Sequence, residues 1–189
     1  MEAGGSSDST ARAAVLEAAR TGAYDRYAAA LLAPRTARDA LMALAAFEAE
    51  LARIAPATRR EPRMGEIRLQ WWREALEHEG SGATGHPLAD RLHRLATARA
   101  WPVHRLHDII DAHAHDHLAD PFADDQELTT TLELGEGTLF ELAAVTLGAP
   151  AATVSPIARH AGLAYGLARR LAALRHDLAR RHLPIPTSR

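Results

Sequence analysis

Apolar residues in this chain return every three or four positions almost from end to end, and no stretch alternates apolar with polar as a half-buried strand requires. That period demands helices and leaves no sheet to build on, so the expected fold class is all-α: an antiparallel helical bundle with short connections. Alanine, the best intrinsic helix former, occurs 42 times and strengthens the reading. Helices are expected at Ala11–Arg20, Tyr24–Leu32, from Thr36 to Pro56, at Glu66–Glu79, Leu88–Ala100, from Pro102 to about Leu118, and over Glu127–Leu147 with an interruption at Gly135 and Gly137. Ser155 and Pro156 suit the N-cap and first position of a last long helix. Leu41, Leu44, Phe47, Leu51 and Ile54 form one core-facing stripe, and Ala164, Leu167, Leu171, Leu174 and Leu178 a second. Ile67, Trp71, Trp72 and Leu76 are expected on a buried side. Residues 1–10 read as a flexible start, 62–65 as a turn, Gly80–Pro87 as a loop, and 11–186 as one helical domain.

Charge and composition narrow the function classes. The chain has 189 residues, a formal net charge of −2 and no cysteine. Disulfide frameworks, thiolate catalysis and cysteine-ligated metals are therefore excluded. No global positive field draws in nucleic acid. The longest uncharged run, Leu142–Ala158, has 17 residues interrupted by Gly148, Pro150 and Pro156, too short and too broken to span a bilayer. The first ten residues lack the basic start and apolar run of a signal peptide, so the expected location is the cytoplasm, with a peripheral membrane association left open.

Three groups of side chains could carry chemistry. His104, His107, His113, His115 and His117 crowd one helix with Asp108, Asp111 and Asp116; His113 and His117, four apart, could share a metal, or the face could be a solvated one with local ion pairs. Arg169, Arg170, Arg175, Arg180 and Arg181 gather near the end of the chain, suited either to phosphates or to complementing a helix C-terminus. Glu48 with Glu50, and Asp124 with Asp125, are paired carboxylates that do not share a helical face. No phosphate-binding glycine loop, nucleophile elbow or zinc-protease motif occurs.

Taken in order, several stretches resemble the squalene and phytoene synthase family: Tyr24-Asp-Arg-Tyr, Leu31-Leu-Ala-Pro, Ala40 through Phe47, Arg68-Leu-Gln-Trp-Trp-Arg-Glu-Ala-Leu76, Gly85-His-Pro-Leu-Ala, Ile110-Asp111 through Asp116, Glu136-Gly-Thr138, and Gly162-Leu-Ala-Tyr-Gly-Leu running on to Pro186. The Leu-Gln-Trp-Trp-Arg stretch and the Ala-Phe-Glu-Ala-Glu-Leu-Ala-Arg run resemble most a divergent bacterial branch allied to a mitochondrial complex I assembly factor. The resemblance implies an isoprenoid-synthase-like fold with a cavity between helices, short here of the family's last helices. Apolar surface left bare would then need a protein partner, a second copy or local rearrangement to cover it.

Active members of that family condense prenyl diphosphates, holding Mg²⁺ between two aspartate-rich helical motifs that stabilise the leaving group. Here the acids of the first motif fall on Ala52, Arg53 and Pro56, and those of the second on Ala173 and Asp177. The polar residues preceding the second motif are replaced by Gly166 and Arg169. Asp177 and Asp116 thus remain as candidates for substrate and diphosphate binding with Arg180 and Arg181; Asp177, Glu48 and Glu50 are the candidate metal ligands. Two readings follow. In the first, the scaffold persists without diphosphate ionisation, as a binding or assembly-type protein holding an isoprenoid or lipid, with no cofactor required. In the second, displaced acids still hold Mg²⁺ and the chain is an active prenyl transferase.

Overall fold

The computed structural model describes residues 3–58, 60–77, 84–117, 122–179 and 185–186, with side chains from residue 9 onward in these spans, that of His117 excepted. Among these residues the ordered structure is helical and no strand occurs. None of the described helices is long and apolar enough to cross a membrane. The chain divides into two compact units, 1–104 and 105–189, and the boundary falls within the 11–186 span read from sequence as one domain.

The first unit holds α1 (Ala3–Gly22), α2 (Tyr24–Leu32), α3 (Arg35–Thr58), α4 (Pro62–Glu77) and α5 (Pro87–Arg99). Helix α3 is the hub and packs against all four others. From Met42 to Ala49 it is buried on every side, as expected of a helix at the centre of a core. Its alanines let neighbours close in, while Phe47, Leu51 and Ile54 fill the space between. The expected stripe on this helix is buried at Leu44, Phe47, Leu51 and Ile54.

Several boundaries differ from the sequence reading for local reasons. Helix α1 begins at Ala3, within the segment expected to be a flexible start. Helix α3 continues past Pro56 to Thr58. Proline removes one helical donor, but the Thr58 hydroxyl donates to the Ile54 carbonyl at 2.8 Å and closes the last turn. Residues 62–65, read as a turn, open α4, because proline suits a first helical position. On α4 the buried side is Leu69, Trp72 and Leu76; Ile67 and Trp71, expected with them, are exposed. The expected loop falls largely at residues 78–83, outside the described residues.

The second unit carries α6 (Val103–Ala114, starting just before the boundary), a 3₁₀ turn at His115–His117, α7 (Asp125–Leu132), a π-helical turn at Glu133–Gly137, α8 (Thr138–Thr146) and α9 (Ala151–Ala179). The interruption expected at Gly135 and Gly137 is this π turn. Helix α9 starts five residues before Pro156, which lies inside it; the Ser155 hydroxyl donates to the Ala151 carbonyl at 2.9 Å instead of acting as an N-cap. Phe122, Leu128 and Leu132 form a buried cluster joined by Leu163.

The expected leucine stripe on α9 is overturned. Its buried line is Ala158, Gly162 and Gly166, whereas Leu167, Leu171 and Leu178 are exposed. Small residues face the π turn because nothing larger fits: a Cβ on Gly162 would lie 2.2 Å from the Gly137 nitrogen. Leu171 is 63 % exposed, so Leu171→Ala is expected to change unfolding free energy by no more than about 0.5 kcal/mol. Leu51→Ala, in the core, is expected to cost about 2–5 kcal/mol. Equilibrium urea unfolding of the two variants checks both values.

Candidate functional site

In the first unit a cavity of about 480 Å³ is lined by Glu50, Arg53, Ile54 and Ala57 of α3, Arg68, Trp71 and Trp72 of α4, and His86. Its aromatic wall is built in layers. Trp72 is buried, with its ring edge-on to Phe47 at 5.2 Å and to Trp71 at 5.1 Å. His86 packs edge-on against both indoles, 5.4 Å from Trp71 and 5.1 Å from Trp72. That imidazole is also the N-cap of α5, where Nδ1 accepts from the Ala89 amide at 3.4 Å. The Asp90 carboxylate accepts from both the amide and the hydroxyl of Thr84 at 2.7 Å, and the Thr84 hydroxyl accepts from the His86 amide. The ring is thereby held in place by the first turn of α5 and the Thr84–Asp90 contacts.

Of the two glutamates proposed for a metal, one lines this cavity. Glu50 lines the cavity, but both its oxygens accept from Arg53 Nη2 at 2.5 Å. Glu48 is 2 % exposed, lies in the packed middle of α3 and is not among the lining residues. Mg²⁺ wants several oxygen ligands. At the positions of the first aspartate motif, Ala52, Arg53 and Pro56 offer none, and the cation nearest the one lining carboxylate is a guanidinium. No group of three or more histidines, aspartates or glutamates placed to hold a metal occurs among the described residues. The described residues that line this cavity do not fit Mg²⁺.

A second polar cluster belongs to the second unit. Because α6 gives way to a 3₁₀ turn at His115, the partner of His113 is three residues on: its Nδ1 donates to Asp116 Oδ2 at 3.1 Å. The side chain of His117, the other half of the proposed metal pair, lies outside the described residues. Arg170 Nη2 lies 3.6 Å from Asp116 Oδ1, and its guanidinium sits 5.0 Å above the Phe122 ring. His115 stacks on that ring at 3.7 Å, and its Nδ1 is 3.9 Å from Glu127. One residue before Arg170 on α9, Arg169 donates to Glu136 of the π turn at 3.1 Å. Arg105 pairs with Asp108 at 3.0 Å and also with Glu141. Asp177 is half-buried on α9 and makes no hydrogen bond or ion pair with another described residue. Arg180 and Arg181 lie outside the described residues.

Burial pushes the Asp116 carboxyl up, but the His113 hydrogen bond and the charges of His113, Arg170 and His115 outweigh it and hold the group below its ordinary value. A carboxyl depressed on folding stabilises the native state above its unfolded pKa, and that contribution disappears as pH falls through the folded value. Asp116→Asn is therefore expected to cost about 1–2 kcal/mol at neutral pH. Urea unfolding at a series of pH values should show the gap between variant and parent closing once the solution is more acidic than an ordinary aspartate pKa.

The arginines found here were legible as a phosphate-seeking or dipole-complementing group; their carboxylate partners were not. Arg68 and His86 stood inside matched stretches without a role assigned to them. The signal was the aromatic pair between them.

These arrangements belong to a helical scaffold with a cavity walled by aromatic rings. The chain is a member of the squalene/phytoene synthase family, whose profile matches residues 19–189. It is 28 % identical over 172 residues to NADH dehydrogenase (ubiquinone) complex I, assembly factor 6, of Mus musculus, and equally so to the proteins of that name from Bos taurus and Rattus norvegicus. These alignments take in 90 % of this chain and 51 % of each relative, so the chain spans about half the length of the curated relatives it matches.

Proposed function

We propose that this chain is a binding or assembly-type member of its family that has lost diphosphate ionisation and holds an isoprenoid or similar lipid in the tryptophan-walled cavity. The observation that carries the reading is Arg53. It stands where the family places a metal-binding acid, and its guanidinium occupies the carboxylate of Glu50. A fixed cation about 4 Å from a divalent metal would be repelled by several kcal/mol in a protein-like dielectric. What the cavity offers a ligand is apolar and aromatic contact from Trp71, Trp72 and Ile54, with Arg53 and Arg68 at hand for an anionic end.

The name of the relatives, complex I assembly factor 6, supports a role in building a larger protein complex. The exposed leucines of α9, Leu167, Leu171 and Leu178, supply an apolar face for a protein partner. The location proposed is cytoplasmic.

Incubation with farnesyl or geranylgeranyl diphosphate, with and without Mg²⁺, tests the loss of catalysis. The expected result is quenching of tryptophan fluorescence that EDTA does not reverse, and no release of pyrophosphate. Appreciable Mg²⁺-dependent pyrophosphate release that disappears in Asp177→Ala would establish the active prenyl transferase instead.

A further inference from the structure

A second cavity in the first unit, of about 240 Å³, has a different chemistry and lies outside the lining of the first. Four arginines from three helices converge on it: Arg12 of α1, Arg38 of α3, and Arg91 and Arg94 of α5. Against them stands one acid, Asp39, which is paired with Arg91. Arg38 lines the cavity and is anchored by donating Nε to the Ala33 carbonyl at 2.8 Å, a bond that does not use its terminal nitrogens. No carboxylate among the described residues pairs with Arg12, Arg38 or Arg94. Three like charges held together without counter-ions, on a chain whose net charge is −2, are a local arrangement and not a reflection of composition.

The rest of the wall is aliphatic. Val15 and Met42 are buried beneath, while Leu16 and Leu31 line the cavity and remain exposed, Leu31 by 46 %. No aromatic ring lines it, so it lacks the stacking platform that a single-stranded nucleic acid uses. The volume is below the usual range for a whole drug-sized ligand and is of headgroup size. Arginines whose stems lie over apolar surface, beside exposed leucines, form the combination that engages a bilayer interface: guanidinium groups take the phosphate and the leucines enter the acyl boundary.

We infer that this cavity is a docking site for the phosphate headgroup of an anionic phospholipid, through which the first unit sits on a membrane surface. The site is independent of the tryptophan-walled cavity and of whether that cavity ionises anything.

Flotation of the full chain with vesicles tests it, using phosphatidylcholine alone and phosphatidylcholine mixed with phosphatidic acid. Binding is expected to the mixed vesicles only. The exposed Arg94→Glu and Arg12→Glu are each expected to lower vesicle affinity about thirtyfold, twice the logarithmic effect of simply deleting one interfacial arginine. Arg175→Glu on exposed α9, with the same change in net charge, is expected to alter it less than about twofold. Leu31→Asp should weaken binding to the same vesicles while far-UV circular dichroism stays unchanged. Equal losses in Arg94→Glu and Arg175→Glu would overturn the assignment by reducing it to bulk charge. So would absence of vesicle binding, including the case in which inorganic phosphate alone protects the chain from thermal unfolding and Arg94→Glu removes that protection.

Discussion

Gly162→Ala is expected to destabilise the second unit by about 3 kcal/mol or more, at the top of the range for overpacking a well-filled interior. The sign is opposite to intrinsic preference, because glycine to alanine inside a helix ordinarily gains about 1 kcal/mol. Here the added Cβ would lie 2.2 Å from the Gly137 nitrogen, 2.4 Å from its Cα and 2.7 Å from the Glu136 carbonyl carbon. All three are backbone atoms, so relief requires α9 to back away or the π turn to rewind. Gly166→Ala gives the graded comparison. Its Cβ would meet the end of the Leu132 side chain at 2.6 Å, and a leucine can turn aside, so a smaller loss is expected. Gly85→Ala meets nothing within 4 Å and should show only the strain of its positive φ. Urea unfolding should be followed by circular dichroism, because all three tryptophans lie in the first unit. If Gly162→Ala proved as stable as the parent, the close packing of α9 on the π turn would be wrong.

That glycine line explains where the sequence was readable and where it was not. Helix α2 has the bounds that periodicity and its flanking residues predict, and the α3 stripe is buried at four of its five members because large apolar side chains at helical spacing had a neighbour on each side. On α9 the same rule pointed at Leu167, Leu171 and Leu178, all exposed. Hydropathy weighs side chains by size, whereas the closest helix approach is made by residues with almost none. Gly135 and Gly137 were visible as an interruption, but not as the half of a glycine-to-glycine contact whose other member lies in another helix. The candidate site divides in the same way. Arg53 was legible as a departure from a metal-binding pattern, since that is a matter of residue identity. Its grip on Glu50, the pairing of Arg170 with Asp116, and the convergence of Arg12, Arg38, Arg91 and Arg94 depend on side-chain direction and on elements far apart in sequence.

Phe47→Ala is expected to cost about 3–5 kcal/mol, the usual penalty for removing a fully buried phenyl ring. Its consequence for the cavity separates support from contact. Phe47 does not line the cavity; it braces Trp72, whose ring in turn meets Trp71 and His86. Trp72 would lose its edge-to-face partner, a contact worth about 0.5–1.5 kcal/mol beyond burial, and would gain freedom to tilt into the vacated space. A prenyl ligand read by tryptophan quenching should then bind more weakly even at temperatures where Phe47→Ala remains folded, and Phe47→Leu should restore most of both properties. Trp71→Ala is the converse: partly exposed and lining the cavity, it should cost the fold little and the ligand more. Thermal unfolding and fluorescence titration of the three variants would place each on a plane of stability against affinity. Phe47→Ala should fall on both axes and Trp71→Ala along affinity alone. A Trp71→Ala variant that bound as well as the parent would mean that the aromatic wall is only core, and that the ligand site must be sought elsewhere in the molecule.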